Sequence, residues 1–384
     1  MKILPPATLG MLGGGQLGRF FVLAAHEMGY RVAVLDPDPH SPAGRAADVH
    51  LCASYDDLAA LDELSGQCAA VTTEFENVPA DTLAYLSKFV PVRPSAECVA
   101  VAQNRIAEKA FLCERGFAVG PYAVVRCLAD IDALPTDLFP AVLKVSRFGY
   151  DGKGQARVLD AAQAKLAWQR FACEPCVIEK LLDLKTELSC VVGRDAVGGV
   201  EAFPVVENSH RHGILDMSVA PAPVEGSLCA EAEQAALGIA AELGYVGVLA
   251  VEFFVTDDGL LVNEIAPRPH NSGHFTLDAC SVSQFEQQVR ALAGLPLCPV
   301  LQHSTAVMVN LLGDLWYTAD PAHAHEPPWN VLLSVPQLRL HLYRKHHARP
   351  GRKMGHFTVI ARESTARVLK IALGARTAIG IRDD

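Results

Sequence analysis

Short apolar runs bounded by glycine and polar clusters alternate with stretches in which apolar residues recur at helical spacing, the pattern of a mixed α/β chain. Thr8–Leu12 reads as a strand entering Gly13-Gly14-Gly15-Gln16-Leu17-Gly18. A helical pattern follows through Met28 and stops at Gly29, and Arg31–Leu35 reads as a second strand ending at Asp36. The segment after Asp36 reads as loop, and Ala69–Thr73 as a third strand, with a helix starting around Pro79. Ser95 is placed to cap a long helix through Arg115 that stops at Gly116 and carries Arg105. Further on, Ala141–Val145 is a short apolar strand with Lys144 in it, and another strand runs to Leu159. A helix is expected over Asp160–Phe171 and a buried strand over Val177–Leu182. Val248–Val255 and Leu260–Ile265 flank Asp257-Asp258-Gly259 and read as a β-hairpin with a three-residue loop. Beyond Phe357 the alternation predicts closing strands and a helix.

Polar residues that interrupt these apolar patterns carry the candidate chemistry. With a three-residue loop Thr256 pairs with Leu260, and the ladder then sets Glu252 opposite Glu264. Facing like charges destabilise a sheet, so the pair calls for a divalent cation such as Mg²⁺, with Asn263 as a further oxygen donor. The alternative is a shifted register that turns one glutamate to solvent. Arg268-Pro269-His270-Asn271-Ser272 follows directly and offers a cation and hydrogen-bonding groups to an anionic substrate. Lys144 inside a strand calls for a partner such as phosphate, although a snorkelling lysine is the simpler alternative. The loop Arg147–Gln155 between two strands is not a P-loop, yet its glycines could fold over a triphosphate. Glu179 with Lys180, Leu181 and Leu182 would form an edge offering backbone groups to adenine and a carboxylate to ribose, with Glu187 on the next strand.

Two signals pull elsewhere. Gly13, Gly15 and Gly18, with Asp36 downstream, match the dinucleotide fingerprint and favour an NAD-dependent dehydrogenase. Any tight strand-to-helix turn selects the same glycines. Glu74 and Glu76 lie at the carboxyl end of a strand, where open α/β sheets bind ligands, or else serve to cap the next helix. Cys173-Glu-Pro-Cys176 is a lone pair of cysteines with no second pair to complete a metal site.

A length of 384 residues suggests two to three domains. The net charge of −10 excludes a nucleic-acid-binding face spread over the protein but not a local cationic site. Eleven cysteines without framework spacing, the absence of a signal-peptide core and of a bilayer-spanning run lead to the expectation of a soluble cytoplasmic protein. Against this acidic background Arg339–Lys353 is strongly basic, and Pro350-Gly351 provides a turn presenting Arg352 and Lys353. That suits a single phosphate site, a solvated loop being the alternative; His346 and His347 are expected at the surface.

Seven motifs occur in order: GGGQLGR at Gly13–Arg19, TTEFENVP at Thr72–Pro79, GYDGKGQ at Gly149–Gln155, ENSHRHGI at Glu207–Ile214, GYVGVLAVEFF at Gly244–Phe254, NEIAPRPHNSGH at Asn263–His274 and RPGRKMGH at Arg349–His356. Together they resemble the 5-(carboxyamino)imidazole ribonucleotide synthase (PurK) family of the ATP-grasp superfamily, over nearly the whole chain. The resemblance implies an ATP-grasp fold: an N-terminal Rossmann-like α/β domain (1–105), an ATP-grasp domain (106–298, with a lid at about 116–182) and a small C-terminal β-rich domain (299–384). It implies an ATP site of Arg105, Lys144, Gly149, Tyr150, Asp151, Gly152, Lys153, Gly154, Gln155, Glu179, Lys180, Leu181, Leu182, Glu187, His210, Asn263 and Glu264. Glu252 and Glu264 would hold Mg²⁺. Aminoimidazole ribonucleotide would contact Tyr150, Asp151, Arg268, His270, Asn271 and Ser272, with Glu74 or Glu76 from the first domain, and its phosphate would meet Lys345, Arg352 and Lys353. The implied reaction is ATP-driven carboxylation by bicarbonate through carboxyphosphate in purine synthesis, with Lys144, Tyr150, Asp151 and Arg268 in the reacting region and Asp151 as proton acceptor. A homodimer is implied, with neither nucleic acid nor membrane as partner. Phe148 stands where the family usually has glycine. The competing readings are another ATP-grasp ribonucleotide ligase or formate-using transformylase, the NAD-dependent dehydrogenase, and a non-catalytic nucleotide sensor.

Overall fold

The computed structural model describes residues 2–147, 154–318, 320 and 322–381. The first sheet is parallel, in the order β3-β2-β1-β4, from β1 (Thr8–Leu12), β2 (Arg31–Leu35), β3 (Val49–Leu51) and β4 (Ala70–Thr73). Leu9, Leu12, Val32, Val34 and Val71 are fully buried in it, as expected for strands covered on both faces. Helix Gln16–Glu27 packs its Phe20–Phe21 face onto this core.

The turn into that helix is closed by the protein itself. Glu74, at the end of β4, accepts hydrogen bonds from Gly15 N (2.6 Å) and Gly18 N (3.0 Å). Asp36 accepts from Gly14 N (2.7 Å) and from Tyr55 Oη (2.7 Å). A dinucleotide site would need those amides for pyrophosphate and that acid for ribose; both are spent internally, so the dehydrogenase reading fails. The glycines admit the carboxylate: a Cβ on Gly15 would lie 2.6 Å from Glu74 Oε1, and Gly13 has φ +103°.

The single helix expected from Ser95 to Arg115 is two, Ala96–Ala102 and Arg105–Glu114. Asn104 breaks it by capping the second helix, its Oδ1 accepting from Ile106 N (3.0 Å), while Arg105 N donates to Ser146 O (2.9 Å). Gln103 donates to the carbonyls of Glu76 (2.7 Å) and Val78 (2.5 Å), fixing the break against the end of the first sheet.

An antiparallel sheet in the order β5-β8-β6-β7 follows, formed by β5 (Tyr122–Val125), β6 (Ala141–Val145), β7 (Gln155–Val158) and β8 (Cys176–Lys180). Helix Ala161–Arg170 covers it through Ala164, Ala167 and Trp168. Cys173 is exposed and Cys176 buried, both free.

The remaining strands are β9 (Thr186–Arg194), β10 (Val200–Ala202), β11 (Val206–Arg211), β12 (Ile214–Ala220), β13 (Gly247–Thr256), β14 (Gly259–Ala266), β15 (Thr305–Leu312), β16 (Leu338–Leu342) and β17 (Lys353–Ala361). They form one sheet, β14-β13-β9-β11-β12-β15-β17-β16, with β10 on β9. The C-terminal strands therefore have no sheet of their own; β15 pairs with β12, from Met217↔Val309 to Ala220↔Ala306, and covers what would otherwise be an open edge.

In the hairpin Thr256 pairs with Gly259, one residue short of the expected Leu260, because the turn holds only Asp257 and Asp258. A bulge between Glu252 and Phe253 restores the offset: Phe253 faces Val262, yet Glu252 faces Glu264, leaving Asn263 as the extra residue. Two one-residue departures cancel, and the carboxylates meet as expected.

All three regions converge on an aromatic cluster. Phe20 touches His274, Phe285, His341, Tyr343 and His356 at centroid distances of 5.0–6.0 Å. His274 and His341 each stack on His356, at 4.6 and 4.7 Å with interplanar angles of 23° and 22°. His341 pairs with Asp278 (2.9 Å). Asp278, His341 and His356 each place a donor atom within 4.8 Å of the others, and His356 Nδ1 lies 2.8 Å from Tyr343 Oη. Gln288 ties the sheets together, accepting from Val248 N (2.5 Å) and donating to Thr72 Oγ1 (2.6 Å). Among the described residues no helix is long and apolar enough to cross a membrane.

Glu74→Ala would strand two N–H groups at the glycine turn and is expected to destabilise the fold by about 1–3 kcal/mol. Chemical denaturation checks this; an unchanged midpoint and slope would contradict the account of the turn.

Candidate active site

A cleft of about 810 Å³ opens where the three sheets meet. Its lining combines Glu76, Arg105, Lys144, Gln155, Glu179–Leu182, Glu187, His210, Glu252, Asn263, Glu264, Arg268, His270, Asn271 and Lys353. Residues from both antiparallel sheets, the Arg105–Glu114 helix and the end of the first sheet thus meet in one cavity; those just named were anticipated from sequence, whereas others of the lining, such as Gln103, Ser146, Arg157 and Phe254, were not.

The floor is the β13–β14 hairpin. Arg105, presented at the start of its helix, donates to Glu264 Oε2 at 3.0 Å. Burial alone would raise Glu264, but Arg105 and Lys144 outweigh it and hold the carboxyl well below its usual range. Glu252 differs, because the charges of His210 and Lys353 do not offset what opposes its ionisation. Burial first, then the facing Glu264, push it up to about 7. Its neighbours are His270 Nε2 (3.4 Å) and Asn263 Nδ2 (3.4 Å). Burial, with Arg268 and Lys353 nearby, pushes His270 well below its ordinary value, so it faces Glu252 as a neutral imidazole. Asn263 Oδ1 is buried without a hydrogen-bond partner beside the two carboxylates. Facing carboxylates and a spare amide oxygen are the hard oxygen donors that a cation such as Mg²⁺ takes.

The lid-sheet wall holds Lys144, whose Nζ lies 2.9 Å from Glu179 Oε1. The other oxygen of Glu179 is 3.3 Å from Lys109 Nζ. Lys144 and Lys109 hold Glu179 below the ordinary carboxyl range although burial opposes them. Glu179, expected to offer its carboxylate to a ribose, is thus engaged by lysines on both oxygens. Glu187 on β9 binds His210 Nδ1 (2.9 Å); burial lowers the His210 pKa, but this bond together with the charges of Glu252 and Glu187 outweighs it and raises the pKa overall.

At the opposite end Arg268 pairs with Glu76, so the first sheet closes one side of the cleft. Burial opposes the charge on both, but each holds the other ionised: Glu76 is lowered and Arg268 raised. Glu76 therefore reaches the cleft, whereas Glu74 is withdrawn into the glycine turn, and neither caps the following helix, whose N-cap is Pro79. Asn271 lines the cleft with both amide atoms buried and unpartnered. Ser272 does not line it: fully buried, it accepts from Ser189 Oγ (2.8 Å) and lies 2.9 Å from His270 Nδ1, fixing that ring.

The expected phosphate residues divide. Lys353 lines the cleft. Arg352 instead lines a separate pocket of about 310 Å³ with Asp38, His40, His346, His347 and Arg349, its Nη1 donating to His347 O (2.8 Å). Lys345 lies outside the cleft lining, its Nζ 5.7 Å from the Tyr343 ring centroid. The bulge in β17 pairing at Lys353 and the positive φ of Gly351 send the adjacent side chains to different sides. Gly149, Tyr150, Asp151, Gly152 and Lys153, with Phe148, lie outside the described residues. Gly154 (φ +69°) and Gln155 are described; Gln155 pairs with Lys144 across β6–β7.

Sequence reasoning missed Glu108 and Lys109, both 1% exposed. Glu108 accepts from Ile265 N (2.6 Å), and burial pushes its carboxyl up to about 7. The signal was present: Arg105, Glu108, Lys109 and Leu112 share one helical face, so charged residues sit on the stripe that Leu112 marks as buried.

Two antiparallel sheets enclosing a cleft with paired hairpin carboxylates and facing lysines define an ATP-grasp enzyme, preceded by a domain whose glycine turn is closed. Comparisons agree along the chain. Residues 6–103 match the ribonucleotide synthetase preATP-grasp domain, 110–285 the ATP-grasp domain, and 306–369 the phosphoribosylaminoimidazole carboxylase C-terminal domain. The N5-carboxyaminoimidazole ribonucleotide synthase of Bacillus subtilis (strain 168) is 43% identical over 358 residues, covering 93% of this chain and 92% of that one. A crystal structure of an N5-carboxyaminoimidazole ribonucleotide synthetase with ADP superposes with a TM-score of 0.90 at 39% identity, covering 98% of both chains. The Aspergillus clavatus enzyme, solved with ADP and 5-aminoimidazole ribonucleotide, gives 0.86 at 30% identity over 97% of this chain and 98% of that one. The chain belongs to the N5-carboxyaminoimidazole ribonucleotide synthase family of ATP-dependent ligases.

The raised Glu252 carboxyl has a thermodynamic signature. Its folded pKa lies above the ordinary value, so in metal-free protein it subtracts stability progressively as pH rises from the usual carboxyl range through about 7. Glu252→Gln should therefore raise the melting temperature in EDTA at pH 8 and give no gain at pH 4. An equal shift at both pH values would contradict the like-charge account.

Proposed function

We propose that this protein uses ATP and bicarbonate to carboxylate the exocyclic amine of aminoimidazole ribonucleotide, giving ADP, phosphate and N5-carboxyaminoimidazole ribonucleotide for purine synthesis. The observation that carries this reading is one continuous cleft with a nucleotide end (Lys144, Arg105, Glu264) and an anionic-substrate end (Arg268, Asn271, Lys353). Two reactants held in one cavity convert a bimolecular step into an effectively unimolecular one.

In this reading Leu181 and Leu182, which follow β8 at the cleft wall, receive the adenine. Lys144 leaves Glu179 to meet the phosphates. Glu252, Glu264 and Asn263 Oδ1 would hold a divalent cation, which would supply positive charge to offset that of the phosphoryl group. A bicarbonate oxygen attacks the γ-phosphorus and displaces ADP, forming carboxyphosphate. Arg105 supports this step by keeping Glu264 ionised. Arg268, braced by Glu76, and Lys353 draw the anionic ribonucleotide to the far end, and the Asn271 amide supplies a donor and an acceptor that the protein leaves unused. The amine then attacks the carboxyl carbon, phosphate departs, and one proton is lost from nitrogen. Neutral His270, 3.4 Å from Glu252, adds no positive charge beside the carboxylates that would hold the cation. Among the expected participants, Tyr150 and Asp151 lie outside the described residues.

The test is ADP release from MgATP with labelled bicarbonate, with and without aminoimidazole ribonucleotide. Ribonucleotide-dependent ADP release matched by acid-labile label is expected. ADP release driven by another ribonucleotide, without carbon incorporation, would replace this reading with a sister ATP-grasp activity. In the same assay Glu264→Ala should lower turnover by about a hundredfold or more, since a preorganised charge site is lost. Normal turnover in that variant would remove the metal role of the hairpin.

A further inference from the structure

Lys109 takes no part in the chemistry above, yet it is nearly the most enclosed charge at the site. It is 1% exposed, does not line the cleft, and makes two contacts: Nζ donates to Asn263 O (2.9 Å) and lies 3.3 Å from Glu179 Oε2. Glu179 gives its other oxygen to Lys144 at 2.9 Å. One buried carboxylate therefore has two lysines, and the two are not equivalent. Lys109 is anchored from behind by the backbone of β14 and by its place on the Arg105–Glu114 helix. Lys144 faces the cleft.

We infer that Lys109 is a positioning residue that provides Glu179 with a permanent counter-charge, so that Lys144 is free to leave Glu179 for a nucleotide phosphate. This rests on the nucleotide reading above and goes beyond it. A carboxylate buried at this depth cannot be left uncompensated. Were Lys144 its sole partner, every excursion of Lys144 toward phosphate would strand the charge, and phosphate would compete with Glu179 for the same cation. With Lys109 in place, the loss of Lys144 leaves a paired carboxylate. The contact also spans three elements: Lys109 on its helix joins β8, through Glu179, to β14, through Asn263. The lid sheet that presents Lys144 is thereby registered against the hairpin that presents Glu252 and Glu264.

The test is MgADP affinity by calorimetry on the full-length protein, with turnover measured alongside. Lys109→Gln keeps a donor for Asn263 O but removes the charge, and is expected to weaken MgADP by about tenfold or more while leaving the KM for the ribonucleotide within about threefold. Adding Glu179→Gln to it removes the stranded charge and is expected to recover most of that loss, and Lys109→Arg to retain near-normal affinity. Unchanged affinity in Lys109→Gln would overturn the inference. So would a double variant as weak as the single or weaker, the result for a purely structural lysine whose damage adds to that of Glu179→Gln. If Lys109→Gln does not fold, the double variant decides: neutral at both positions, it should fold and bind MgADP, and failure to bind when folded overturns the inference. A wild-type protein that does not bind MgADP would overturn the nucleotide reading itself.

Discussion

Two carboxylates facing each other on adjacent strands are the constraint around which the rest of the protein is arranged. Glu252 and Glu264 are held opposite by the hairpin register and cannot both be charged inside a fold without cations nearby. Arg105 answers Glu264 directly, from a helix whose start is displaced by Asn104 to reach it. Glu252 is left at the higher pKa, next to neutral His270 and the spare oxygen of Asn263. The pair is therefore asymmetric: one carboxylate is held ionised by its cations, while the other gives up its proton only near pH 7.

Around that floor the protein stores charge in matched groups and leaves few donors idle. Lys109, Glu179 and Lys144 form one such group, Arg268 and Glu76 another, Glu187 and His210 a third. The buried polar atoms without partners include Asn263 Oδ1 and both amide atoms of Asn271, which sit at the cleft. Others, such as Ser41 Oγ, Asn310 Oδ1 and Thr358 Oγ1, lie away from the cleft; those of Asn263 and Asn271 differ in being placed where a ligand in the cleft can reach them.

The glycine turn of the first domain shows the same economy turned to structure. Its amides are those that a dinucleotide would use, but Glu74 and Asp36 have taken them. What the first sheet gives the active site is instead Glu76, two residues beyond Glu74, pinned to Arg268 across the domain boundary. The C-terminal strands contribute in a similar way, by extending the large sheet so that Lys353, at the start of β17, arrives at the cleft.

Strand and helix identity, the facing glutamates, Lys144 in its strand and the Arg268–Asn271 segment were legible in the chain because they depend on local periodicity and on like charges in an apolar context. The hairpin register came out right although the turn was read one residue too long, since the bulge at Asn263 compensated; bulges leave little local signature. The break at Asn104 has a local part, the Asn104 cap on Ile106 N, and a tertiary part that spacing does not show, Gln103 and Arg105 bonding to distant carbonyls. The fate of Glu74 against Glu76, of Arg352 against Lys353, and the role of Lys109 were likewise beyond reach. Glu74, Glu76 and Lys109 each meet a partner more than fifty residues away, and sequence spacing carries no information on that pairing. The sequence by itself determined which residues are charged within apolar elements. Only the tertiary structure decided which of them face one another, because the energy of a buried charge is set by the partner that the fold brings to it.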